Sequence, residues 1–384
     1  MLSPNLAARM GDGYQQEATE YFTLSPTGHL ITAVCLGTIG LLGFTNNFLV
    51  LLLFYRHKAL RSPVNLLLAN ISFSDLLVCT LGTPFSFAAS TQGHWLIGYV
   101  GCVWYGFANA VFGTVSLISL AILSYDRYIT ITGLTEADRT DYSKALAWIS
   151  FSWIYSLMWT LPPLFGWSSY GPEGPGTTCS VNWYSRDVVN VSYIVCLFIF
   201  CLVIPFLVIV FCYGKMLLAL KKVRVNNSMG RAREHKVLLM VTFMVICFLL
   251  CWLPYGIVAL VATFGRPGIV TPTASIIPSV LAKSSTVYNP IIYVFLNKQF
   301  YRCFKALLLC RNSPADLSTK GLSKTIKNSR NSQRKHNTSF IKASTAQRTT
   351  INQKQSDSIE EDTGKDLSCE DSKPPVSLVV RYND

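Results

Sequence analysis

Seven long apolar runs dominate this 384-residue chain. They are His29–Tyr55, Val64–Ala89, Tyr99–Ile131, Ala145–Gly166, Val188–Tyr213, Val237–Phe264 and Thr273–Leu296. Each reaches the roughly 20 residues that a helix needs to cross about 30 Å of hydrocarbon. Lipid offers the backbone no hydrogen-bond partner, so runs of this kind must close their own bonds as helices. The expected fold class is an all-α membrane protein, a bundle of seven transmembrane helices. Composition agrees: 51% of residues are hydrophobic and only 14% charged, too apolar for an ordinary soluble domain. Pro205, Pro278 and Pro290 fall inside the fifth and seventh runs, which membrane helices tolerate when neighbours re-satisfy the backbone. A channel or transporter would show polar residues along several spans or an internal repeat, and neither is visible.

A net charge of +13 and a pI near 9.2 could suggest nucleic acid as a partner. The basic residues argue for the bilayer instead, because they lie in the tail and in alternate links. Arg56, Lys58 and Arg61 follow run one, and Arg139 and Lys144 follow run three. Lys215, Lys221, Lys222, Arg224, Arg231, Arg233 and Lys236 follow run five, while the opposite links hold only Arg186 and Arg266. The basic side is expected to be cytoplasmic. That makes a multi-pass cell-membrane protein with residues 1–28 extracellular and the C-terminus inside. Met1–Tyr21 has no apolar core, so the first run is expected to serve as its own signal and anchor. After the bundle, residues 297–310 place Phe300, Phe304, Leu307 and Leu308 at helical spacing among Lys298, Arg302 and Lys305. This reads as a short amphipathic helix on the inner leaflet, with Cys303 and Cys310 as candidate palmitoylation sites. Residues 311–384 are rich in Ser and Thr and poor in apolar residues, the pattern of a disordered cytoplasmic tail open to kinases.

Most of the twelve cysteines fall within runs, as small core residues do. Only Cys102 and Cys179 lie on the outer side, where an oxidising environment lets them bridge. The long loop so closed is worth roughly 4–5 kcal/mol in the chain-entropy model. No metal-ligand spacing stands out.

Ionisable residues inside the runs are few. The last run reads TASIIPSVLAKSSTVYNPIIYVFLNKQF to Phe300, with Lys283 in its middle. An ammonium at mid-membrane costs roughly 2.5–3.5 kcal/mol on insertion scales. Lys283 could be a desolvated amine that condenses with an aldehyde to a Schiff base, or one partner of a buried ion pair. Both readings stand on this stretch alone. Asp75 shares its run with Asn70, and Asn47 and Asn289 sit in the first and last. Polar groups in lipid seek one another across helices, so one shared hydrated network is expected, as static glue or as a switch. Asp126-Arg127-Tyr128 ends run three and Glu234 begins run six. An Arg127–Glu234 pair would be worth about 0–1 kcal/mol at a surface, yet could bias two states as a latch. Cys251-Trp252-Leu253-Pro254 sets a proline kink beside a large aromatic, and Asn289-Pro290-Ile291-Ile292-Tyr293 does likewise in run seven.

These motifs, in this order and on these runs, resemble the rhodopsin-like receptors that couple to G proteins. Lys283, six positions before NPIIY, narrows the resemblance to animal opsins, and LLGFTNN, GCVWYGF and CWLPY are similar to the encephalopsin and teleost multiple tissue opsin group. The resemblance covers residues 29–310. It implies retinaldehyde, 11-cis or all-trans, bound to Lys283 as a protonated Schiff base. It also implies light activation of a heterotrimeric G protein, of Gi/Go class, followed by receptor kinase and arrestin acting on the phosphorylated tail. Such a receptor performs no net turnover and is not an enzyme. Vertebrate visual opsins place a glutamate three residues after the third-run cysteine, where this chain has Tyr105. Glu173, six residues before Cys179, matches the second-loop glutamate that serves as counterion in many non-visual and invertebrate opsins. By position, Gly113, Phe198, Phe248, Trp252 and Tyr255 should line the chromophore pocket with Tyr105. A retinal photoisomerase of opsin fold is the alternative, although it would not need DRY, Glu234 and NPxxY together. An amine receptor would want an aspartate where this chain has Tyr105 and Asn109.

Overall fold

A computed structural model describes residues 24–132, 142–222 and 228–308, with side chains described except at 59, 220–237 and 308. The expected extracellular segment before Leu24, the tail beyond Leu308, Cys310 and the Glu234 side chain lie outside the described residues.

Seven helical spans cross the bundle. Span one is Pro26–Arg56, span three Gly98–Thr132, span four Tyr142–Thr160, span six Ser228–Phe264 and span seven Pro272–Leu296. Spans one, two and seven begin in the same way. Ser25, Ser62 and Thr271 accept hydrogen bonds from the backbone N–H groups of Gly28, Asn65 and Ala274 at 3.1, 3.4 and 3.2 Å. A proline opens the first turn of each helix, where its missing N–H costs nothing.

Glycine and proline set the breaks. Span two runs Pro63–Leu81, bends at Gly82 before Pro84, and resumes as Thr83–Gln92. Gly93, with φ 77°, closes it in the left-handed conformation that favours glycine. Span four stops at Thr160, short of the expected Gly166, because Pro162 and Pro163 follow and form a 3-10 turn to Phe165. Span five is α-helical over Val188–Phe198, passes through a π turn at Ile199–Val203, and continues as Ile204–Lys222. Pro205 lacks the N–H that would close the ladder there, so the turn widens. A short helix, Lys298–Leu308, follows span seven.

The loop after span four contains an element absent from the expected all-helical plan. Strands β1 (Tyr170–Glu173) and β2 (Thr178–Val181) form an antiparallel hairpin that pairs Glu173 with Thr178 and Pro172 with Cys179. Gly174 and Gly176 turn it with φ 59° and 74°. The Cys102–Cys179 disulfide, at a Cα separation of 5.5 Å, fixes the hairpin to the head of span three. Tyr170 donates to the Thr160 carbonyl at 2.7 Å. Its ring fills the space beside Gly106, where a Cβ would meet Tyr170 Cδ1 at 2.9 Å.

Val50, Leu67, Leu120, Met244 and Tyr293 share the main core with Phe300 of the terminal helix. Cys303 belongs to that core and is only 4% exposed. The polar groups expected to share one network fall into three hydrogen-bonded groups among the described residues. Asp75 accepts from Ser116 and Asn289 at 2.9 and 3.0 Å, joining spans two, three and seven. Asn47 donates to the Gly43 and Thr286 carbonyls, both at 2.8 Å. Asn70 stands apart and ties span two to spans three and four through Ser119, Ser152 and Trp153.

Candidate ligand-binding site

Beneath the hairpin the spans enclose a cavity of about 210 Å³. Its lining is mostly apolar and aromatic, with few polar groups, as small-molecule sites are. Lys283 enters from span seven, Tyr105 and Gly113 from span three, Phe198 from span five, and Phe248, Trp252 and Tyr255 from span six. Glu173 closes the outer side from β1. The six expected pocket residues thus share one cavity with Lys283 and Glu173.

Lys283 is half-buried. Its Nζ donates to Ser279 Oγ at 3.5 Å and sits 5.6 Å from the centroid of the Tyr105 ring. Glu173 is buried, 7% exposed, and shares the cavity with Lys283 without an ion pair within 4 Å among the described residues. Burial pushes the Glu173 carboxyl above the usual range; hydrogen bonding to Ser180, the Lys283 charge, and the Tyr255 and Trp183 donors oppose that rise. Tyr255 donates to Glu173 Oε2 at 3.3 Å. The Trp183 indole donates to Ser180 Oγ at 3.0 Å and to the Tyr255 hydroxyl at 3.1 Å.

The floor is aromatic. Trp252 stacks on Phe248 at 5.6 Å and donates to Ser285 Oγ at 3.1 Å. Its ring depends on Gly113: a Cβ there would meet Trp252 Cη2 at 2.8 Å.

Residues 46–293 match the family described as 7 transmembrane receptor (rhodopsin family). Over 291 residues, 75% of this chain and 84% of the relative, the sequence is 40% identical to parapinopsin of Ictalurus punctatus. It is also 40% identical to Opsin-3 of Mus musculus over 294 residues, 75% of this chain and 73% of that one. The chain belongs to the animal opsins. The crystal structure of squid rhodopsin superposes on the opsin with a TM-score of 0.70 at 30% identity, covering 77% of this chain and 90% of that one. Membership makes the protein a light-activated membrane receptor with a G protein as its partner, in a family that carries a retinal chromophore.

Toward the other end of the opsin, Asp126 and Arg127 form an ion pair, with Arg127 only 7% exposed. Tyr128 packs edge-on against Phe211 at 5.9 Å. Asn289 reaches Asp75, and Tyr293, fully buried beside Pro290, hydrogen-bonds Ser72. The expected Arg127–Glu234 pair lies outside the described side chains.

Sequence reasoning did not pick out Trp183, Ser180, Thr178, Ser279 or Ser285. Thr178 and Ser180 flank Cys179, and the disulfide was the one signal that could have drawn them to the site.

Proposed function

We propose that this opsin binds retinaldehyde, as the 11-cis or all-trans isomer, through a covalent bond to Lys283, with Glu173 as the balancing anion. The observation that carries the reading is the joint presence of Lys283 and the buried Glu173 on the wall of one cavity. The residues fit such a group. A primary amine, a buried carboxylate and the space kept by Gly113 beside Trp252 suit a long apolar aldehyde.

The bound chromophore would supply visible absorption and a light-driven change of shape. Lys283 provides the nitrogen, and Glu173 holds negative charge where that nitrogen keeps a proton. Trp252 stands between Gly113 and Ser285, so it can reorient only by giving up the Ser285 hydrogen bond. From there Asp75, Asn289 and Tyr293 connect spans two, three and seven, and Asp126, Arg127 and Tyr128 hold the far end of span three. Glu234 of span six completes the latch in this reading. Separation of spans five and six from span three then exposes a G-protein site, of Gi/Go class by the motif resemblance. The basic links point to a cytoplasmic location of that face, with the N-terminus extracellular in the cell membrane. Receptor kinase and arrestin acting on the Ser/Thr-rich tail complete the proposed cycle, and the protein is a receptor without net turnover.

The test is G-protein nucleotide exchange by purified protein supplied with 11-cis or all-trans retinal, in darkness and after illumination. Light-dependent exchange supports the reading. Isomer conversion without exchange would favour a photoisomerase.

A further inference from the structure

The hydroxyl of Tyr255 stands between two groups of different character. On one side the indole nitrogen of Trp183 lies 3.1 Å away, and on the other Glu173 Oε2 lies 3.3 Å away. An indole N–H only donates, and a phenol has one proton to give. With Trp183 donating to its oxygen, the Tyr255 proton is directed to the carboxylate. The same indole N–H is shared with Ser180 Oγ at 3.0 Å, which holds it within the hairpin. The Trp183 ring is itself fixed: it is 7% exposed, packs edge-on against Phe198 and Tyr255, and its carbonyl accepts from Thr263 of span six at 3.0 Å.

We propose that Trp183 is a positioning residue for Glu173: its indole N–H fixes Tyr255 as a donor to the carboxylate and so favours the ionised acid in the ligand cavity. Trp183 does not need to touch a ligand. It acts through Tyr255, and the chain runs from the outer loop to span six and back to β1. A hydrogen bond to the charged form favours that form, whereas burial disfavours it. The groups facing Glu173 are Lys283 of span seven, Tyr255 of span six, and Trp183, Tyr184 and Ser180 of the loop. Only Lys283 among them brings a positive charge. The Trp183–Tyr255 pair therefore supplies neutral donor strength against the cost of burial. This inference rests on the reading of Glu173 as the anion of the site, although the protonation it describes belongs to the protein without chromophore.

The test is an infrared pH titration of the chromophore-free protein in lipid. The protonated-carboxyl band of Glu173 is assigned by its loss in Glu173→Gln. Tyr255→Phe removes the donor and should raise the midpoint by roughly one pH unit, a tenfold gain in proton affinity. Trp183→Phe should raise it in the same direction by less. The double variant should match Tyr255→Phe alone, because Trp183 acts through that hydroxyl; neighbours acting independently would add. Replacing Trp183 with 3-benzothienylalanine keeps the ring shape and exchanges N–H for sulfur, so it should reproduce the Trp183→Phe shift even if the phenylalanine variant folds poorly. An unchanged midpoint with the isostere, or simple addition in the double variant, would overturn the proposal. Failure of the counterion reading shows elsewhere, as a pigment colour indifferent to Glu173→Gln, and does not alter this titration.

Discussion

Lys283 and Tyr105 meet as a cation over an aromatic face, with Nζ 5.6 Å from the ring centroid. The tyrosine is held for this. It is 1% exposed, its hydroxyl hydrogen-bonds Thr178 at 3.1 Å, and Trp95 packs edge-on against it at 5.0 Å. A ring face attracts an ammonium by about 0.5–2 kcal/mol, yet it cannot neutralise it. In the proposed reading the balancing charge comes from Glu173, on the wall of the same cavity.

Glu173→Gln should therefore move the pigment from visible toward ultraviolet absorption at neutral pH. A nearby anion favours the protonated form of a nitrogen, and Glu173→Gln removes that anion. Acid or added chloride should restore visible colour, whereas Tyr105→Phe should change it little. An absorption titration checks this, and visible colour persisting in Glu173→Gln at high pH would exclude Glu173.

Gly113→Ala tests the seat of Trp252. The new methyl would lie 2.8 Å from Trp252 Cη2, inside the contact limit, so the indole must shift. Overpacking of this kind costs roughly 1–3 kcal/mol. The variant should lose the Trp252–Ser285 hydrogen bond and show lower pigment yield or higher dark nucleotide exchange. Wild-type values in both measurements would mean that the ring has room to spare.

Asp126→Asn removes the carboxylate that Arg127 pairs with on its own span. The pair is partly buried, so its loss should shift the resting equilibrium by about 1 kcal/mol, roughly fivefold in dark activity. Glu234→Gln should act in the same direction if it holds the same arginine. Nucleotide exchange in darkness reads both, and unchanged dark activity with normal light response would leave these charges without a role in switching.

Much of this was legible in the sequence because membrane physics leaves few options. Long apolar runs had to be helices, Lys283 had to have a reason, and two cysteines on one oxidising face had to meet. The hairpin was not legible: YGPE and TCSV are four residues each, carry no period, and owe their place to the disulfide and to Gly106. Helix rotation was equally hidden. Asn70 shares span two with Asp75 but faces span four, which no spacing argument separates without the neighbouring spans. Cys303 looked like a surface thiol because its helix is amphipathic, yet it lies on the inward face with Phe300. Trp183 had no signal beyond being aromatic, since its role depends on a hydroxyl 72 residues away.

The central claim is the bond between Lys283 and retinaldehyde, and the absorption spectrum tests it most directly. Purified wild type and Lys283→Ala are each supplied with retinal, read in darkness, illuminated, and then treated with borohydride. The wild type should show a visible band that light shifts to a second visible form and that further illumination restores, with retinal fixed to the protein by borohydride; Lys283→Ala should fold and show neither band nor fixed retinal. Covalent retinal in Lys283→Ala, or a wild type that never acquires a band, would contradict the account.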